Sequence, residues 1–285
     1  MRSKAGTTEQ RRVPPALMWA GVLLLAALVL WAGVHLALGA AAARWPNEAG
    51  TELWADGSLL LDVSGLSEGY FQASTAMPGG NRLKLRVTKD GQKLTYDLNT
   101  DGRYEVFPLQ FGDGYYDIAL YRNISGKEYA TAGRLGVNVV LSEPEVCFLY
   151  PNQYVNYTPE TEAVAKAEEL CGALGENEAY EEICKYMGKS FVYDYVKAIT
   201  VKPGMLPDIN ESFEKKMGVC QDLSAIMCCM LRTQGVPARL VIGYADNNYH
   251  AWVEADFGGK SVFFDPTAAV NGIARVKEYT TERWY

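Results

Sequence analysis

The stretch GVCQDLSAIMCCMLRTQGVPARLVIGYADNNYHAWVEADFGGKSVFFDPT (Gly218–Thr267) decides how this chain folds and what chemistry it can hold. After Cys220, apolar residues recur at Leu223, Ile226, Met227, Met230 and Leu231. That spacing predicts an amphipathic helix with one buried stripe. Gly235 ends it as a C′ residue, and Pro237 forbids continuation, so the predicted helix runs from Cys220 to Gln234. Gly218 lets the chain turn sharply into it. Downstream, RLVIGY (Arg239–Tyr244) is β-branched and aromatic, and Asp246-Asn247-Asn248 breaks it. HAWVE (His250–Glu254) alternates, and SVFFD (Ser261–Asp265) returns after Gly258-Gly259. The last two segments read as a hairpin.

These positions carry a chemical consequence. A thiol at a helix start sits beside unpaired backbone N–H groups and the positive end of the macrodipole, which stabilise negative charge on sulfur. The N–H of Cys220 itself points toward an oxyanion on an attacked carbonyl. In a hairpin the start of one strand lies beside the end of the other, so His250 and Asp265 meet across the pair. Cys220, His250 and Asp265 are therefore the candidate nucleophile, base and orienting acid. Each alone has an ordinary reading: a small hydrophobe, a half-buried histidine, a turn residue before proline. Their agreement with one geometry is what carries the inference.

GVCQD, LRTQGVPARLVIGY, HAWVE and DPT, in that order, resemble the transglutaminase-like core of the papain-like cysteine-enzyme superfamily. The likeness continues more loosely upstream through FVYDY (Phe191–Tyr195) and MLPDINESFEKKMG (Met205–Gly218). The resemblance implies an α+β core of helices packed on an antiparallel sheet. It also implies acyl transfer or amide hydrolysis through a thioester on Cys220. The calcium sites of animal transglutaminases have no visible counterpart, and neither cofactor nor metal is expected. Two further features depart from the family pattern. No Trp lies between Trp54 and Trp252, so the tryptophan that helps hold the oxyanion in animal transglutaminases has no counterpart. Tyr193 and Tyr195 are candidate hydroxyl donors in its place. Glu214 stands where papain-like proteases carry a donor Gln, and an ionised Glu cannot donate.

The rest of the chain sets the context. At 285 residues and 48% hydrophobic it can bury the cores of two domains. A net charge of −7, with no basic block beyond the first dozen residues, argues against nucleic-acid binding. Arg2, Lys4, Arg11 and Arg12 precede a run from Val13 to Ala43 without Asp, Glu, Lys or Arg. A bilayer needs about 20 apolar residues, so residues 16–43 read as a transmembrane anchor in preference to a cleaved signal, after a cytoplasmic basic segment, 1–15. The remainder is then extracytoplasmic, and its substrate a protein, peptide or cell-wall peptide. Six cysteines show no metal-site or framework spacing and read mostly as buried free thiols, with a Cys171–Cys184 bridge left open.

Following a linker (44–55), turn signals recur at Asp90-Gly91, Asp101-Gly102, Asp113-Gly114 and Ser125-Gly126. Alternating runs between them predict a β-sandwich over residues 56–145, ahead of the catalytic domain at 146–285. Phe107, Phe111, Tyr115, Tyr116 and Tyr121 read as core in preference to a recognition surface. The alternative function is a non-catalytic binding or scaffold module of the cell envelope with the same fold.

Overall fold

Asp90 and Gly91 take φ of 49° and 82° between the paired residues Lys89 and Gln92. Both central residues of this two-residue loop are left-handed, as the twist of a tight hairpin requires. The computed structural model describes residues 43–202, 204–271 and 276–285. Its first half is all strand: β1 (Leu53–Asp56), β2 (Leu59–Asp62), β3 (Tyr70–Thr75), β4 (Leu83–Lys89), β5 (Gln92–Leu98), β6 (Glu105–Pro108), β7 (Gly114–Ser125) and β8 (Glu128–Val139). They form two antiparallel four-stranded sheets, β1-β2-β3-β6 and β5-β4-β7-β8. Leu83, Leu85 and Val87 are buried while Lys84 and Arg86 between them are not, the period-2 pattern of a strand with one face on a core. The sheets meet where Phe107 packs edge-on against Tyr96, with ring centroids 5.1 Å apart. Phe107 and Tyr116 are core, whereas Tyr115 is exposed. β1 begins at Leu53, inside the stretch read as linker.

The second half follows from a packed connection in which Phe148, Leu149, Tyr150, Val155 and Tyr157 are buried. It contains α1 (Glu162–Cys171), α2 (Glu176–Ser190), β9 (Val192–Tyr193), α3 (Tyr195–Thr200), α4 (Ile209–Lys215), β10 (Met217–Gly218) and α5 (Cys220–Thr233). Then come β11 (Ala238–Ala245), β12 (Asn248–Asp256), β13 (Ser261–Phe264), α6 (Pro266–Asn271) and β14 (Tyr279–Trp284). The sheet order is β13-β12-β11-β14, antiparallel throughout. α5 ends as a Schellman motif: the Val236 N–H bonds the Leu231 carbonyl, the Gly235 N–H bonds that of Arg232, and Gly235 has φ of 78°.

The single buried stripe expected of α5 understates it. Every residue from Asp222 to Thr233 is buried, because α1, α2, α4 and the sheet surround the helix. Arg232 is fully buried and donates to the carbonyls of Ala238, Tyr150 and Tyr285 at 2.9, 2.6 and 2.9 Å. All six cysteines are free, so the Cys171–Cys184 bridge is not formed. Apart from Ala43, the expected membrane span lies outside the described residues. Among the described residues no helix is long and apolar enough to cross a membrane.

Candidate active site

Three contacts place Cys220. β10 pairs in parallel with β9, setting Gly218 opposite Tyr193. The Asp194 N–H donates to the Gly218 carbonyl at 3.0 Å. The Asp222 carboxylate, fully buried, then accepts the Val219 N–H at 3.0 Å and the Lys197 ammonium at 2.8 Å. An acid at the third helical position thus satisfies the N–H just ahead of the helix, half of a capping box. Gly218 has no left-handed φ, so its role is not the sharp turn expected. A Cβ there would lie 2.7 Å from the Asp222 Cβ, and the close approach of β10 to the helix start demands glycine.

The hairpin brings the other two residues together. His250 Nε2 lies 2.9 Å from Asp265 Oδ2, both side chains being largely buried. Cys220 stands beside the same imidazole, lining two cavities with it. Asp265 also caps α6, its Oδ1 accepting the Ala268 N–H at 3.0 Å, and its Oδ2 accepts the Tyr279 hydroxyl at 2.8 Å. Burial alone lowers the pKa of His250. The hydrogen bonds to Asp265 and Cys220, and their charges, outweigh it and raise the value to about 9. Burial likewise works against the Asp265 carboxylate, but His250, Ala268 and Tyr279 hold its pKa below the ordinary value. Tyr279 escaped sequence analysis because its distance from Asp265 along the chain follows no helical or strand period. Its ring also packs on Trp252 and Phe263, with centroids 5.1 and 4.6 Å away.

The oxyanion candidates separate. Burial, and then the charge of Cys220, raise the Tyr193 pKa to about 12, so its hydroxyl stays protonated beside the sulfur. Tyr195 is 68% exposed and donates to Asn271 Oδ1 at 3.3 Å, though both tyrosines line a cavity of about 360 Å³ with Cys220 and His250. Glu214 is exposed on α4 and lines no cavity with Cys220. No group of three or more His, Cys, Asp or Glu suited to a metal occurs among the described residues.

A thiol, an imidazole and a carboxylate thus gather where a helix start meets a hairpin. Residues 164–266 match the family model of the transglutaminase-like superfamily, so the chain is a transglutaminase-like domain protein. It is similar to the uncharacterised protein YebA of Bacillus subtilis (strain 168), at 34% identity over a match covering 25% of this chain and 12% of YebA. The match thus spans about an eighth of that relative's length. Among solved structures it is similar to a candidate cysteine protease from Cytophaga hutchinsonii, at 14% identity and a TM-score of 0.38, covering 76% of this chain and 83% of that one. Red sea bream transglutaminase is similar at 13% identity and a TM-score of 0.29, covering 70% and 48%. These structural likenesses add nothing to the sequence match.

Proposed function

We propose that the chain is a cysteine enzyme of acyl transfer in which Cys220, His250 and Asp265 act as a triad. The observation that carries this reading is the His250 ring, 2.9 Å from Asp265 and lining the same cavity as Cys220. His250 takes the thiol proton as the sulfur attacks, and its raised pKa lets it hold that proton as imidazolium. The sulfur bonds to an amide carbonyl carbon, and the carbonyl electron pair moves to oxygen. The Cys220 N–H and the hydroxyl of Tyr193, which lines both cavities with Cys220, are the candidate donors to that oxygen. Collapse expels the amine, which takes the imidazolium proton and leaves a thioester on Cys220. Water or a second amine then attacks the thioester, giving its proton to His250 as the thiolate departs. Asp265 holds the ring in the tautomer that leaves Nδ1 to take the thiol proton and stabilises its cation.

Water as acceptor makes a peptidase or amidase, and an amine makes a transglutaminase. Without the upstream tryptophan we favour hydrolysis, of a protein, peptide or cell-wall peptide. The apolar run at 16–43 supports a protein anchored in the cell membrane with this domain outside the cytoplasm, which protease accessibility on spheroplasts expressing the full chain tests. Incorporation of a fluorescent amine into a protein mixture, beside a peptide-hydrolysis assay, tests the reaction. Cys220→Ala abolishes both, along with iodoacetamide labelling at near-neutral pH. Turnover surviving that substitution would favour the scaffold module.

A further inference from the structure

The two cavities that meet at Cys220 and His250 differ in charge. One, about 360 Å³, runs past Asp265 and Asp246 and holds no lysine or arginine. The other, about 430 Å³, is lined by Lys202 and Arg283 and holds no carboxylate. Through Tyr154, Gly204 and Arg283 it continues into a third, of about 450 Å³, where Lys84 and Lys93 of the sandwich meet Asp97 and Glu282. Asp97 engages Lys84 at 2.6 Å, and Glu282 engages Arg283 at 3.1 Å. Lys93 and Lys202 form no ion pair among the described residues. On a chain of net charge −7, an arm of the cleft with surplus cations runs against the trend of the molecule. A concave, low-dielectric setting focuses that field.

We propose that this arm binds an acidic peptide, laid from Cys220 toward the sandwich with carboxylates beside Lys202, Arg283 and Lys93. The proposal rests on the acyl-transfer reading and deepens it. It names the substrate as an extended acidic chain, not a small amide, and makes the sandwich the far wall of the binding cleft. A phosphodiester polymer would satisfy the same cations but offers a cysteine site no acyl carbon.

The test is fluorescence anisotropy on the full chain carrying Cys220→Ala, with a fluorescein-labelled glutamate-rich peptide and its glutamine-substituted counterpart. The acidic peptide is expected to bind roughly tenfold tighter or better, as complementary charge at a cleft provides. Lys93→Glu and Lys202→Glu are each expected to reduce that preference and together to remove it. Lys127→Glu, in the turn between β7 and β8, leaves it intact, with near-UV circular dichroism reporting the fold. Equal binding of the two peptides, or a preference that survives the double reversal, overturns the proposal. Binding to the Cys220→Ala protein needs no nucleophile. Failure here therefore leaves the enzyme reading standing, and loss of turnover in the native chain leaves this result standing.

Discussion

His250 lies between two groups that each favour its proton, and the sign of the consequence can be worked out. Its pKa is about 9 in the folded chain against 6.5 in an ordinary setting. A raised folded value adds stability that is fully present below the unfolded pKa and is lost as pH rises through the folded one. The urea midpoint should therefore fall between about pH 6.5 and about pH 9, and His250→Gln should flatten that segment of the curve. Turnover should lose its alkaline limb near the same upper value, since the leaving amine then finds no imidazolium. Tyr279 gives a second prediction. A hydrogen bond to a charged group contributes about 1.5–3 kcal/mol, part of which holds Asp265 in place during the reaction. Tyr279→Phe should lower kcat roughly tenfold with little change in KM. Because Asp265 loses a bond that favours its charged form, the acidic limb should move to higher pH. A role confined to packing would leave that limb unmoved. The three residues were legible in sequence because caps and turns announce the boundaries at Cys220 and Asp265, while His250 lies two residues inside β12 rather than at its expected start. Tyr279 has no such marker.

At the scale of elements, the start of α5 depends on a carboxylate that the sequence displays but does not explain. Asp222 stands two residues after Cys220, and only the folded chain shows Lys197 and the Val219 N–H converging on it. Asp222→Ala leaves the cation and the N–H without that partner. The cost should be about 2–3 kcal/mol, below the usual figure for a broken buried pair because Lys197 reaches water. Gly218→Ala should cost about 1–3 kcal/mol by forcing a Cβ against Asp222. Denaturant titration measures both, and both should lower turnover by displacing Cys220. The β4 to β7 region was legible through its Asp-Gly turns. β1 to β3 were not, because β3 (YFQAST) is buried on both faces and has no alternation to read. Likewise α5 reads as amphipathic only when Asp222 and Arg232 are taken for surface residues. Each is buried with its own partners.

At the scale of the molecule, the sequence suggests two domains while the packing gives one core. Apolar residues of the sandwich, the α-helices and the β11–β14 sheet form a single contiguous cluster. Tyr285 stacks on Tyr154 with centroids 3.6 Å apart and meets Tyr96 of the sandwich at 5.8 Å. Gln110, just after β6, donates to the Trp284 carbonyl. Arg232 then ties the connection at Tyr150 to β11 and to the residue after β14. Buried cations of this kind hold geometry through hydrogen bonds: three carbonyls lose their donor if the guanidinium goes. Arg232→Met should therefore lower stability by about 3–5 kcal/mol. Because the junction is continuous with both halves, unfolding of residues 43–285 should be one cooperative transition, with calorimetric and van't Hoff enthalpies equal. The substitution should shift that transition without splitting it. Two separate transitions in the unsubstituted chain would mean that the halves merely touch. The sandwich could then not serve as a fixed wall for a cleft that begins at Cys220.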